Sequence, residues 1–248
     1  GADGKPLLQS NIVKFDKATT HEDVILWLLK WFEHDNRGYT IKGVGHRVVH
    51  GGRYFAEPTL LTTSIISQLE TLIPLAPLHQ PHNLLAVKAV SKWAPKLPQV
   101  ACFDTSYHNT QAPLARLFAL PREWFDKGIM RYGFHGLSYQ YIANSLPYYL
   151  GKLAEGRVIV AHLGNGASMC AMKKRQSVAT SMGFTALDGL MMGQRCGSLD
   201  PGVIVHLLRH YKMSIEELEH MLYNDSGLLG VSGISNNMQV LQNSSHPN

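Results

Sequence analysis

The 248-residue chain reads as a layered α/β protein on three observations. Segments with helical apolar spacing alternate with short runs rich in Val and Ile, and those runs open into glycine loops. With 45% hydrophobic and 17% charged residues, the chain has enough apolar material for one large core or two modest ones.

The elements follow in order. Thr19 with Glu22 has capping-box spacing, and His21 to His34 carries Val24, Trp27, Leu28 and Trp31 at helical intervals, so a helix is expected there. Tyr39 to Val49 reads as a strand running into the turn His50-Gly51-Gly52. A helix from about Pro81 to Trp93, a break at Pro95 and Pro98, and a strand Val100 to Phe103 ending in Asp104 make a second such unit. Turn formers cluster from Tyr107 to Pro113 and place a domain boundary there, dividing the chain into 1–106 and 107–248. The nearly all-apolar run Arg157 to Leu163 predicts a third strand. Ser168–Met172 and Ser177–Met182, joined by the polar turn Lys173 to Gln176, predict a hairpin laid against it. Asp200 before Pro201, and Ser214 with Glu217, mark the starts of two more helices, the last ending near Asn224.

Composition narrows the function classes. No apolar run approaches the ~18 residues needed to cross a bilayer, so no membrane partner is expected. The 23 basic and 18 acidic residues leave a net charge of +5, but the cations are scattered, which argues against nucleic acid. Cys102, Cys170 and Cys196 are far apart and form no C-x-x-C pair, which suits a reducing cytoplasm. The opening GADGKPLLQS lacks a Met start and a signal-peptide pattern, and reads as the middle of a longer chain.

Five stretches that read as strand ends, four of them glycine-flanked, carry polar residues. They are His46-Arg47 with His50-Gly51-Gly52, Asp104-Thr105, Gly133-Phe134-His135-Gly136, His162 with Gly164-Asn165-Gly166, and Gly193-Gln194-Arg195-Cys196-Gly197. Strand ends hold ligands in open α/β sheets, and glycine there lets backbone N–H groups approach an anion. One such loop is a turn; five bearing Arg, His or Asp predict an anion site. A carboxylate acceptor is already ionised at pH 7 and needs no general base, so the obstacle is charge repulsion against a phosphoryl donor. Arg47 and Arg195 offer the planar paired donors that offset it, His135 a further donor, and Asp104 a direct or water-mediated Mg²⁺ ligand. A zinc hydrolase is the rival reading for His46 and His50. On a strand, however, residues four apart stand about 13 Å from each other, and no Glu follows His46.

The blocks GHRVVHGG (45–52), PLAPLH (74–79), FDTSYH (103–108), RYGFHG (131–136), VAHLGNGAS (160–168), SMGFTALDGLMMGQR (181–195) and SGLLGVSGIS (226–235) resemble the acetate kinases of the acetate and sugar kinase, actin-like superfamily. The resemblance implies a two-domain, ribonuclease H-like (actin-like) kinase fold, incomplete here, with 1–106 on the acyl side and 107–248 beginning the nucleotide side. It also implies ATP plus acetate giving acetyl phosphate plus ADP by direct in-line transfer, with Mg²⁺ (or Mn²⁺), in a homodimer. Carried over, it gives Arg47 and Arg195 to the carboxylate and the transition state, His135 to the phosphoryl group, and Asp104 to catalysis and the metal. Val49, Leu78, Phe134 and Ala186 fall at the acyl pocket, His79 and His162 on active-site histidines with His79 substrate-binding, and His162, Leu163, Gly164, Asn165 and Gly166 near the nucleotide phosphates. Position 186, usually proline, is alanine, which widens the acyl wall toward propionate. The usual HGTSH reads His135-Gly136-Leu137-Ser138-Tyr139, and the usual RSGDIDP reads Arg195 to Pro201 as RCGSLDP. The family's first phosphate loop, adenosine segment and Mg²⁺-binding glutamate have no counterpart in these 248 residues, so a non-catalytic anion-binding fragment is the alternative.

Overall fold

The computed structural model describes residues 15–16, 18–34 and 40–246. Helix α1 (His21–His34) stands where the periodicity predicts, but its cap lies one residue later. The Asp23 N–H donates to Thr20 Oγ1 at 3.2 Å, and the Thr20 N–H donates to Asp23 Oδ2 at 2.9 Å. Two overlapping box patterns compete in Thr-Thr-His-Glu-Asp, and the aspartate closes the second.

Strand β1 (Val44–Val48) is shorter than the predicted Tyr39–Val49; residues 40–43 are irregular and Tyr39 lies outside the described residues. The short strand β2 (Thr59–Leu60), helices α2 (Thr63–Glu70) and α3 (Gln80–Trp93) and strand β3 (Gln99–Phe103) follow. In the first sheet β3 is central, parallel to β1 and antiparallel to β2. Val48, Ala101 and Phe103 bury one face of it against Phe55, Leu69, Leu72 and Leu84. Side chains of that size contribute about 1.5–3 kcal/mol each when fully buried, which fixes the two parallel strand ends as a rigid platform.

Beyond helix α4 (Arg122–Asp126) comes α5 (Gly136–Leu150), then the second sheet of β4 (Arg157–Leu163), β5 (Ala167–Lys173) and β6 (Gln176–Thr180), antiparallel in sequence order. The predicted hairpin is there, turned by Lys174 and Arg175 alone, both left-handed with φ of 52° and 59°. Val158 and Val160 pack inward with Tyr139, Ala143, Cys170 and Met172, while Ile159 and Leu163 on the other face of β4 are exposed. The apolar run is therefore covered on one side only among the described residues. Helices α6 (Pro201–His210), α7 (Ile215–Asn224), α8 (Gly227–Ser232) and α9 (Met238–Gln242) complete the chain. Asp200 caps α6 and a full Ser214–Glu217 box caps α7, both as predicted.

The 3-10 turn Ser106–Thr110 ties the sheets together. Buried His108 donates through Nε2 to the Phe134 carbonyl at 2.9 Å, and its Nδ1 accepts from Ser177 Oγ of β6, also at 2.9 Å. Thr110 Oγ1 adds a bond to the Ser177 carbonyl at 2.8 Å. Phe134, beside the site, is thus held from both sheets.

Candidate active site

Alternation along parallel strands puts Arg47 and Asp104 on one face. Arg47 pairs with Cys102 across β1 and β3, and Asp104 lies two residues further on. Arg47 Nε donates to Asp104 Oδ1 and Oδ2 at 3.1 and 3.0 Å, and Nη2 to Oδ2 at 2.6 Å. The carboxylate is 2% exposed, whereas the guanidinium is 66% exposed and keeps donors free for an anion. Hydrogen bonding to Asp104 raises the Arg47 pKa further, so the cation is permanent.

Helix α5 begins against this pair. The Gly136 N–H donates to the Asp104 carbonyl at 2.8 Å, and a Cβ at 136 would collide with that carbonyl. His135, just before it, takes a left-handed backbone (φ 60°, ψ 18°), a conformation rare outside Gly, Asn and Asp. That turn brings its ring 4.0 Å from the His162 ring, nearly parallel, at the end of β4. Ser168 of β5 bonds His135 Nδ1 at 2.8 Å, leaving Nε2 outward. Burial, then the charges of His162, Arg195, Arg47 and His108, hold the His135 pKa down to about 3, so the ring is neutral at physiological pH.

Arg195 reaches the same spot from an irregular loop. A Cβ built on Gly166 would stand 2.5 Å from Arg195 Nη2 and 2.9 Å from His135 Nε2, so a side chain there would displace the arginine tip from beside the imidazole. The Gly193 N–H donates to the Asn165 carbonyl at 3.3 Å, joining the Arg195 loop to the 164–166 turn, while Arg195 Nη1 donates to the Ala186 carbonyl at 2.6 Å. Arg195 and Arg47 both bear on one further group: burial, then their two charges, lower the His79 pKa.

A narrow apolar slot with about 10 Å³ of free space adjoins this cationic cleft. Its walls include Val49, Leu78, Phe134 and Ala186, all four positions expected at the acyl pocket, with Thr185 and Tyr223 added. Leu78, His79 and Tyr223 also border a more open cavity of about 280 Å³ containing Asn165 and Arg195. Neither Thr185 nor Tyr223 carried a sequence signal, since a Tyr in the last turn of α7 reads as core filler.

Other expectations need adjustment. His135 and Arg195 do not end strands; among the five stretches only those after β1, β3 and β4 do. His162 faces Ser138 Oγ at 3.1 Å, while Leu163 is 75% exposed, so of the nucleotide-side positions Asn165 and Gly166 stand closest to the arginine. The zinc rival fails: His46 Nε2 is paired with Gln99 Oε1 at 2.7 Å, and His50 Nδ1 accepts from the Gly52 N–H at 2.8 Å. Burial raises the Cys196 pKa, so proximity to Arg195 does not activate that thiol. A Mg²⁺ site is not assembled by these residues alone. No group of three or more His, Cys, Asp or Glu that could hold a metal occurs among the described residues, and both Asp104 oxygens accept from Arg47.

Neutral burial of histidine has a pH consequence. His50 and His108 are fully buried and held down to about 4, as His135 is to about 3. With folded pKa values below the unfolded ~6.5, they favour the folded state above that pH, and the unfolded chain binds more protons below it. Unfolding free energy is expected to fall as pH drops from 6.5 toward 4, with a limiting slope of about 4 kcal/mol per pH unit for three protons. Urea melts across that range, with His50→Gln and His108→Gln reducing the slope, check it.

The two-sheet α/β scaffold sets Arg195 and a neutral His135 beside a small apolar slot, with Arg47 near enough for its charge to act on His135. The chain belongs to the acetokinase family, whose model matches residues 8–248. It is 54% identical over 232 residues to a Rhodopseudomonas palustris protein named acetate kinase, covering 93% of this chain and 58% of that protein. A Rickettsia prowazekii acetate kinase is 42% identical over 240 residues, 96% of this chain and 62% of the relative. Among solved structures, a propionate kinase from Francisella tularensis aligns with a TM-score of 0.88 at 37% identity, over 93% of this chain and 60% of that one. An acetate kinase from Porphyromonas gingivalis aligns at 0.81 and 37%, over 90% and 58%. The chain thus spans about three fifths of the length of the relatives it matches.

Proposed function

We propose that this chain forms the acyl-side and phosphoryl-contacting part of an acetate kinase, which reversibly transfers the γ-phosphoryl group of ATP to acetate in line, giving acetyl phosphate and ADP. The convergence of Arg195 and His135 on Gly166, with Arg47 close enough for its charge to reach His135, is the observation that carries the reading. The acetate methyl enters the slot of Val49, Leu78, Phe134 and Ala186 while its carboxylate faces the guanidinium groups. One carboxylate oxygen then attacks the γ-phosphorus as the bond to the ADP oxygen breaks. No proton needs to leave the acceptor, so the work of the site is charge neutralisation and alignment. His162, Leu163, Gly164, Asn165 and Gly166 are assigned to the phosphate side of the nucleotide. The domain boundary is placed at 106/107, and the reading carries with it a homodimer and a cytoplasmic setting, the latter fitting three free cysteines. No described helix is long and apolar enough to cross a membrane.

The slot favours acetate over propionate despite Ala186. The slot has room for about one water-sized group, so a longer acyl chain meets more of its apolar wall than the acetate methyl does. Acyl phosphate formation, trapped as the hydroxamate, is expected to show kcat/KM for propionate about 10-fold or more below that for acetate. Equal values would remove the slot from the specificity argument, and absence of acyl phosphate with every short carboxylate, in a form extended to the length of the relatives, would reject the function.

A further inference from the structure

We propose that Tyr139 and Ser168 are positioning residues that fix His135 as the tautomer carrying its proton on Nε2, aimed at the transferring phosphoryl group. This inference rests on the acyl kinase reading, and it concerns a position where the sequence departs from the family's usual HGTSH.

The geometry forms a closed chain of three groups. Ser168 Oγ lies between the Tyr139 hydroxyl, with which it makes a short hydrogen bond, and His135 Nδ1 at 2.8 Å. Tyr139 and Ser168 are fully buried, so no water competes for either group. The Tyr139 ring is packed edge-on by His108 and His162, which leaves its hydroxyl little freedom to turn elsewhere. A phenol and an alcohol each have one proton to give. When Tyr139 donates to Ser168 and Ser168 donates to Nδ1, the imidazole proton must sit on Nε2. Burial pushes the Tyr139 pKa up to about 12, so the phenol keeps its proton throughout the working range. Nε2 then lies beside Gly166 and Arg195 Nη2, so its proton joins the guanidinium in facing the phosphate side of the site. Reversing the chain would put the proton on Nδ1 and present a lone pair to a phosphoryl oxygen, which repels it.

Two-bond ¹H–¹⁵N spectra of the 248-residue chain with ¹⁵N-histidine, assigned with His135→Gln, report the tautomer directly. The parent chain is expected to show His135 neutral with Nε2–H, and inorganic phosphate is expected to shift that resonance. Tyr139→Phe and Ser168→Ala, each checked for retained folding by amide spectra, should give a mixture of both tautomers and weaken phosphate binding about five-fold, the loss of one hydrogen bond's orientation. A parent His135 with Nδ1–H, or two variants with unchanged tautomer and phosphate affinity, would overturn the proposal. A pinned Nε2–H that ignores phosphate supports the relay and counts instead against the kinase reading, so the two failures are separable.

Discussion

Arg47→Ala is expected to lower acyl phosphate formation by 10²–10³-fold in a form extended to the length of the relatives, and to destabilise the fold as well. The rate loss follows because Arg47 supplies a permanent cation whose outer donors remain open to solvent while its inner edge is held by Asp104. The stability loss follows from what is left behind: a carboxylate 2% exposed, stripped of its guanidinium partner. Since Arg47 itself is mostly exposed, water can partly replace it, and about 1–3 kcal/mol is expected rather than the larger cost of a fully buried pair. The double variant Arg47→Ala/Asp104→Asn separates the two effects. Thermal or urea unfolding should recover most of the stability, because the amide no longer carries an unpaired charge, while the rate does not rise above the single-variant level. Near-parental turnover in Arg47→Ala would remove the arginine from the mechanism.

Arg195→Ala is expected to match that rate loss with a smaller stability cost, and Arg195→Lys is not expected to restore it. Arg195 Nη1 is committed to the Ala186 carbonyl, while Nη2 stands beside Gly166 and His135 Nε2. Only a planar group with divided donors can brace the pocket wall and face the anion together; an ammonium is a point charge on a flexible stem. Release of that wall should also blur selection at Ala186, so the lysine variant is expected to narrow the acetate-to-propionate ratio. Single-turnover hydroxamate formation with both acids measures the rate and the ratio together.

Much of this site was visible in the residues themselves. Arg47 and Asp104 could be placed because parallel strands ending in glycine or a polar pair advertise themselves through β-branched runs, and their common face follows from alternation. The acyl wall at Val49, Leu78, Phe134 and Ala186 came through the family resemblance and falls in one slot. What escaped notice was nonlocal or overlapping. The α1 cap slipped by one residue because two box patterns share five positions. Helix α5 was missed because Gly133 and Gly136 read as a loop and Pro147 falls inside it. Tyr223 looks like core filler in the linear sequence, while Tyr139 enters only as a departure from HGTSH and Ser168 only as the end of a family block. They gain meaning only when β5 lies beside α5 and when the end of α7 folds over the pocket.

The left-handed turn at His135 sets durability against work. A non-glycine residue held at that φ gives up about 1–2 kcal/mol that glycine would keep. Random substitution screened only for heat resistance would therefore drift toward glycine or asparagine at 135 and discard the imidazole. The chain carries an imidazole in this less comfortable backbone at the mouth of α5, a strain that the cores beneath the two sheets offset.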